Sequence, residues 1–489
     1  MSSATSRAAK VSVASETTPL LVAAENIVDP PQTYGPPEDH QPGSEDIEKP
    51  LPMGQILLLC YARLVDPIAF FSIFPFINKM IHEQAGIPET DVGFYAGLIE
   101  SLFSMTQMLV MIGYGRVADR IGRKPVLVFS LCGVSVASAM FGLSKKVWQM
   151  ILFRCLAGAF AGSVVTVRAM ITENSTARTQ AKAFSFFAFA SNIGIFLGPL
   201  IGGSLSEPTL NYPSVFGHMQ LFKTYPYLLP TLITGCVAAS GAALCALFVK
   251  ETLITKTERT SSGAVSPPMS TWEVIKSPGV AVVLYLMGHT VLIALGYTAV
   301  LPLFWFTPVD LGGLGFTPLQ ISFFLGLAGL SQALWLFPFP ALQRRYGTGG
   351  VLRAGTYVWP IFMALNPVAN FMLKQGWTKA FWIMMPSAQI LGAAVSLVFT
   401  AMQLALNDVA PAPNTLGTLN AIFLTLNSGI RAVAPGVFSS IFAVGARTQV
   451  LGGQLVWVII VGVTIGFWVG VRYLPAKAEG RIQPSGRPA

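Results

Sequence analysis

Charged side chains are scarce in this chain of 489 residues: Asp, Glu, Lys and Arg make up 11% of it, against about 25% in typical soluble domains. Hydrophobic residues make up 53%. This composition excludes an ordinary soluble globule and indicates a protein that crosses a membrane many times. The net charge of +9 does not indicate nucleic-acid binding, because the basic residues form short clusters between apolar runs rather than one patch.

Motifs that bind metals or cofactors are also lacking. The cysteines lie inside apolar runs, without a C-x-x-C pair or metal-site spacing. They are Cys60, Cys132, Cys155, Cys236 and Cys245. We interpret them as small buried side chains and expect no metal and no cofactor. No His-rich or paired catalytic motif lies within an apolar run, so an enzyme is not expected.

The N-terminal region lacks the basic start and apolar centre of a cleaved signal peptide, so the first apolar run has to act as the insertion signal. Residues 1–52 are rich in Ser, Thr, Pro and acidic residues and are predicted to form a disordered cytosolic tail. Two further polar segments, 250–278 and 475–489, are predicted to be a central cytosolic loop and a cytosolic C-terminal tail.

What the sequence does contain is twelve apolar runs of about 20 residues or more, the length that crosses a bilayer as a helix. They lie near 54–78, 92–114, 125–144, 147–171, 181–204, 227–249, 279–306, 318–341, 350–373, 379–405, 415–444 and 452–474. Six precede the central loop and six follow it, which indicates a duplicated unit. We therefore predict an all-α membrane protein with twelve transmembrane helices in two six-helix bundles, over 53–249 and 279–474.

Basic residues favour alternate loops. If the N-terminus is cytosolic, the loop after span 2 holds four basic residues and the loop after span 3 holds two, Lys145 and Lys146. The positive-inside rule then places both termini in the cytosol, as an even number of spans requires.

Three motifs resemble those of a known family. Residues 115–124, GRVADRIGRK, resemble the G-x-L-A-D-R-x-G-R-K loop that the major facilitator superfamily carries between spans 2 and 3. Arg154 and Gly158 in span 4 are similar to the family's R-x-x-x-G pattern. The motif G-x-x-x-G-P-x-x-G-G, associated with the antiporter branch, is matched in span 5 by Gly194, Gly198, Pro199, Gly202 and Gly203.

Longer stretches, RLVDPIAFFSIFPFI, GFYAGLIESLFSMTQMLVM and NYPSVFG, resemble a fungal branch of multidrug-type proton antiporters, related more distantly to plant zinc-induced facilitator-like carriers. This resemblance implies the major facilitator fold and a monomeric, proton-coupled antiporter that exports or sequesters an organic small molecule such as a drug, toxin or secondary metabolite. The alternatives are a proton-coupled nutrient or metal-chelate symporter and a non-transporting receptor. The span 5 motif argues against the first, and the lack of a foldable cytosolic domain argues against the second.

The motif after span 2 predicts a conformational latch. Its two glycines permit a tight turn, and Asp119 is suited to accept hydrogen bonds from the N-terminus of a neighbouring helix. The resemblance implies that this helix is span 11, which starts near Thr415. The alternative is that the charges only fix topology. The predicted latch residues are Gly115, Asp119, Arg120, Gly122 and Arg123.

The span 5 motif has a packing role in either interpretation. Small residues four apart let helices approach closely, and a proline bends a helix. A specific role in antiport, such as sealing against proton leak, is implied by the resemblance alone.

Ionisable residues within the spans are functional candidates by default, because a charge at the bilayer centre costs at least about 2.5 kcal/mol. Counting along each helix puts Asp66, Glu100 and Arg154 at one depth, and Arg63 lies three residues before Asp66, close enough to pair with it. We predict that Asp66 or Glu100 carries a proton, with Arg154 and Arg63 adjusting its affinity. The alternative is a structural ion cluster that holds spans 1, 2 and 4 together. Asp66-Pro67 also predicts a break in the first helix near the midplane.

Candidates in the C-terminal half are fewer. His289 in span 7 and Arg431 in span 11, with Asn427 beside it, are predicted to reach the substrate cavity. A membrane histidine is as readily explained by a hydrogen bond between helices.

The N-terminal tail carries a sorting pattern. Glu16, Leu20 and Leu21 fit the acidic dileucine motif that sorting adaptors bind on cytosolic tails. It indicates a vacuolar or endosomal membrane, with the plasma membrane as the alternative.

Overall fold

The computed structural model describes residues 51–175, 177–252, 271–411 and 415–479. Within these ranges the chain folds into helices joined by short turns. The first part contains α1 (Met53–Phe71), α2 (Ile77–Ala85), α3 (Val92–Ile121), α4 (Arg123–Phe141), α5 (Val147–Phe160), α6 (Ser163–Glu173), α7 (Ala177–Ser204), α8 (Pro208–Asn211), α9 (Pro213–Phe216), α10 (Gln220–Thr224) and α11 (Leu228–Phe248). The second part contains α12 (Thr271–Lys276), α13 (Val280–Phe306), α14 (Pro318–Trp335), α15 (Phe339–Lys374), α16 (Thr378–Gly392), α17 (Ser396–Asp408), α18 (Leu416–Thr448) and α19 (Leu455–Val471).

The helices match the twelve predicted spans. In the described part, nine segments are long and apolar enough to cross a membrane, two of them formed by joining α5 to α6 and α16 to α17. The helices α14 and α15 form a pair bent by 78°, and α15 is itself broken at Gly347, whose backbone is not helical. Spans 8 and 9 are therefore α14 and residues 348–374, and α19 is span 12.

Two helix breaks differ from the prediction. Pro67 does not break span 1, because α1 runs on to Phe71. A bilayer tolerates such a proline when neighbours satisfy the freed backbone groups. The helix gives way instead at the turn 72–76, which precedes α2. Span 4, predicted as continuous, breaks at Ala161 and Gly162.

Each half has a packed interior. In the N-terminal half Leu59, Leu131 and Met170 are fully buried in one cluster. The interior of the C-terminal half is more aromatic, with Trp305 and Trp457 fully buried. The aliphatic side chains of the first half and the aromatic side chains of the second are buried from lipid as well as from water. They therefore hold each bundle together by close packing.

Because twelve spans alternate in direction, both ends of the described chain lie on one side, which we call the terminal side, and the opposite side is the distal side. On the distal side the halves are in close contact. A methyl group added to Gly93 or Gly97 of α3 would meet Ser439 of α18 at 2.8 and 2.7 Å. Gly203 of α7 packs against Ser322 of α14.

A hydrogen bond joins the halves at the same level. Pro435 lies inside α18, where a proline lacks the amide hydrogen that a helix uses. The next amide, Gly436 N–H, donates to the Ser101 hydroxyl of α3 at 2.8 Å. Backbone contacts and a neutral hydrogen bond therefore close the distal side.

Candidate functional site

Asp66 is held where three helices meet. Its carboxylate lies 3.6 Å from Arg63, one helical turn earlier on α1. The Ser163 hydroxyl donates to the same carboxylate oxygen. Ser163 begins α6, so the break in span 4 presents this hydroxyl to α1. Arg63 also donates to the Ser191 hydroxyl of α7 at 3.0 Å.

A second group of charges lies on α3, α5 and α18. Arg154 is 3% exposed, and its guanidinium covers the ring of Phe103 at 4.2 Å. Arg431 comes from the C-terminal half and covers Phe70 of α1 at 4.5 Å. Glu100 is 6% exposed and lies within electrostatic reach of both arginines. The fold therefore brings Arg431 to the charges of the other half.

Sequence reasoning missed one member, Arg168 of α6. It shares the ring of Phe187 with Arg63, at 5.5 Å and 5.0 Å respectively. A signal was present, because Arg168 follows Arg154 by about four helical turns and lies within the predicted fourth span. We call the set of Arg63, Asp66, Glu100, Arg154, Arg168 and Arg431 the arginine cluster.

The latch motif has a different shape from the predicted turn. Gly115 lies inside α3, so the expectation that it forms part of a turn is wrong. A single residue, Gly122, separates α3 from α4, with φ of +111°. Because glycine adopts this backbone conformation freely, one residue suffices to reverse the chain. Arg120 is exposed on the last turn of α3, and the side chain of Asp119 lies outside the described residues.

Arg123 anchors the terminal end of α4. Its guanidinium pairs with Glu173 at the end of α6, at 3.1 Å. Its backbone amide donates to Glu251, just after α11, at 2.8 Å, and Lys124 N–H donates to the other carboxylate oxygen at 3.0 Å. A carboxylate at a helix N-terminus satisfies amides that lack a partner within the helix. These contacts bind spans 3, 4 and 6 together.

The glycines of the span 5 motif pack against both halves. Gly194, Gly198 and Gly202 face α1, where a methyl group at Gly202 would overlap the carbonyl of Ser72. Gly203 faces α14 instead, and Pro199 lies within α7.

The residues predicted to reach the substrate cavity from the C-terminal half do not lie together in the structure. His289 joins two helices, with Nε2 2.8 Å from the Val463 carbonyl of α19 and Nδ1 3.3 Å from the Tyr285 hydroxyl. These contacts belong to helix packing and not to the arginine cluster. Asn427 is partly buried one turn before Arg431 on α18. The sorting residues Glu16, Leu20 and Leu21 lie outside the described residues.

Twelve spans in two bundles, with charged side chains from both halves meeting between them, define the class of secondary membrane carriers. The Major Facilitator Superfamily model matches residues 59–435, and the chain belongs to that family. The predicted family and fold are thus confirmed, and the protein is a multi-pass membrane transporter rather than an enzyme.

Relatives cover nearly the whole chain. The "Efflux pump azaK" of Aspergillus niger is 46% identical over 97% of this chain and 98% of the relative. The plant "Protein ZINC INDUCED FACILITATOR 1" of Arabidopsis thaliana is 28% identical over 81% of this chain and 87% of its own. Among solved structures, a bacterial homolog of the human lysosomal transporter Spinster, inward-facing and occupied, has a TM-score of 0.64 and 15% identity over 89% of this chain and 100% of that chain.

Proposed function

We propose that the protein is a proton-coupled antiporter that exports or sequesters an organic small molecule. One observation carries this proposal: two carboxylates of low exposure, Asp66 at 10% and Glu100 at 6%, lie within electrostatic reach of Arg431 of the opposite half. Since each carboxylate can be charged or neutral, protonation changes the attraction between the halves. The name of the Aspergillus niger relative, an efflux pump, supports the direction of transport.

The mechanism follows from the partners of Asp66. When the carboxylate is charged, Arg63 and Ser163 both stabilise it. Protonation removes the ion pair and frees Arg63 for other partners. The net charge at the contact between the halves therefore changes, and a different arrangement of the halves becomes more stable. Such a shift between two arrangements is the basis of alternating access.

The terminal motif is proposed to latch the halves together in one access state, through Asp119 and the start of span 11 at Thr415. The network of Arg123, Glu173 and Glu251 supports this proposal, because it fixes α4 at the end of the motif. The glycines of span 5 are proposed to keep the distal side sealed while the terminal side is open.

Neutralising each carboxylate tests proton coupling. Asp66→Asn cannot exchange a proton, so uphill export driven by a pH gradient should vanish in proteoliposomes. Exchange of labelled for unlabelled substrate at equal concentrations needs no net proton movement and should persist. Glu100→Gln is the parallel variant, because either acid is a candidate for the proton carrier.

A structural ion cluster predicts another pattern. Either neutralisation would leave an unpaired buried arginine, which lowers folding yield and both kinds of transport together. The coupling proposal is overturned if both variants retain gradient-driven accumulation at normal expression, or if active and passive transport fall in the same proportion. If substrate and protons cross the membrane in the same direction, the protein is a nutrient or metal-chelate symporter and not an antiporter.

The membrane in which the transporter acts is a separate proposal. We infer a vacuolar or endosomal membrane from the dileucine pattern alone, and cytosolic termini from the basic residues of alternate loops. Replacing Leu20 and Leu21 by alanine should then move a fluorescent fusion to the cell surface, because sorting adaptors no longer bind the tail. A fusion of the unmodified chain that already resides at the surface would contradict this proposal.

A further inference from the structure

The arginine cluster is not electrically balanced. The sequence predicted two acids and two bases inside the N-terminal half, which is a neutral set. The fold adds Arg168 and Arg431, so the cluster has two more arginines than carboxylates. An excess of charge within a membrane protein is expensive unless something compensates for it.

The imbalance extends to hydrogen bonds. Among the described residues, Nε and Nη2 of Arg154 are buried without a hydrogen-bond partner, as are Nε of Arg63 and Nε of Arg168. Buried donors normally have partners, and a donor on a cation is the most costly kind to leave without one. Arg154, at 3% exposure, is buried most completely.

Aromatic rings occupy the faces of the guanidinium groups and leave their N–H edges for another ligand. Phe70 lies between the halves, 4.5 Å from Arg431 and 5.5 Å from Arg154. Two cations from opposite halves therefore share one ring. Glu100, within electrostatic reach of both arginines, supplies one negative charge, so one positive charge of the pair stays uncompensated. A further negative group between the two arginines would compensate it.

We propose that the transported molecule is an organic anion, with a carboxylate or similar oxyanion that binds between Arg154 and Arg431 and an aromatic or apolar body that packs on Phe70 and Phe103. The carboxylate supplies acceptors for Nε and Nη2 of Arg154, which lack them, and the body matches the ring surface. A cation is excluded by the excess positive charge, and a neutral molecule would leave that charge without compensation.

The proposal deepens the proposed function and rests on it for the fact of transport, but it makes a separate claim. It concerns which class of ligand binds at equilibrium. Proton coupling depends instead on whether the carrier changes its access state with substrate bound, with a proton bound, or with both. Protonating Asp66 or Glu100 adds positive charge, so the proton and the anion do not compete directly for the arginines. Binding measured without any gradient tests the ligand class alone.

The experiment uses the purified full chain in lipid nanodiscs and matched aromatic triplets, such as 2-naphthoate, 2-naphthamide and 2-naphthylmethylammonium. Isothermal titration calorimetry should show the anion binding about tenfold more tightly than the amide, because the carboxylate brings a full negative charge and two acceptor oxygens to the arginines, whereas the amide brings one neutral acceptor. Equal affinities, a preference for the amide or the cation, or no binding of any anion across the panel would overturn the proposal.

Variants then assign the site. Arg431→Gln should weaken anion binding several-fold and leave amide binding unchanged, since it removes one of the two arginines between which the carboxylate is proposed to bind. Arg431→Lys, which keeps the charge, should restore part of the affinity. Arg345→Gln is the control, because Arg345 is exposed beside Tyr346 far along the chain from the cluster. An equal loss of anion binding in the Arg345→Gln control, or full anion binding by the correctly folded Arg431→Gln variant, would place the anion elsewhere and overturn the assignment.

Discussion

Two glycines of one motif meet different constraints. Gly115 lies within α3, where the nearest neighbour of an added Cβ is a methyl group of Val165 at 3.9 Å. Gly122 has φ of +111°, and an added Cβ would lie 2.6 Å from the carboxylate of Glu251. The sequence motif makes the two residues look equivalent, whereas only the second reverses the chain.

Gly122→Ala should therefore destabilise the protein, by about 1–3 kcal/mol for the backbone conformation alone. The melting temperature of the detergent-solubilised chain, followed by size-exclusion chromatography after heating, would measure the effect. Gly115→Ala is the matched control and should leave the melting temperature unchanged or slightly higher, since alanine favours a helix. A similar loss in both variants would show that the helical assignment of residues 115–121 is wrong.

In the candidate site, the sequence predicts only those contacts that follow from the spacing of two residues along one helix. Arg63 and Asp66 lie three residues apart, and the structure brings them to 3.6 Å. The meeting of Arg431 with Phe70 depends instead on how the two bundles pack, and no local pattern encodes it. Arg168 lies near the end of a span, where a basic residue resembles an ordinary topology signal.

At the scale of elements, α7 owes its position to small residues. Gly202 allows the helix to approach the carbonyl of Ser72, closer than any side chain would permit. Helices associate in lipid mainly through such close packing.

Gly202→Ala should separate α7 from α1 and reduce both the yield of folded protein and the transport rate, because the added methyl group would meet backbone that cannot move aside. Gly462→Ala on α19 is the control, since nothing lies within 4 Å of the added group. Fluorescence-detected chromatography of tagged variants would compare the yields. Equal yields and rates for the two variants would contradict the tight contact.

Element existence was easier to predict than element shape. Twelve apolar runs gave twelve spans, because length and hydropathy determine whether a segment crosses a bilayer. The breaks followed tertiary contacts instead. Pro67 remains helical, whereas span 4 opens at Ala161, whose carbonyl accepts from Gln107 of α3 at 3.1 Å.

At the scale of the whole molecule, orientation remains a prediction from charge. Cysteines introduced at the exposed positions Lys146 and Lys374 should react with a membrane-impermeant maleimide from the non-cytosolic side, and one at Arg344 should not. The chain without added cysteines is the control, because its own five lie within helices. Labelling of position 344 from that side would reverse the assignment.

The aromatic interior of the C-terminal half has a consequence for spectroscopy. Trp148, exposed at the start of α5, is the single tryptophan before residue 272, whereas Trp305 and Trp457 are fully buried among aromatic neighbours. Intrinsic emission of the native chain therefore comes mainly from one bundle. A spectral shift on adding a ligand would report rearrangement of the C-terminal bundle, which makes the unlabelled protein its own sensor of the motion between access states.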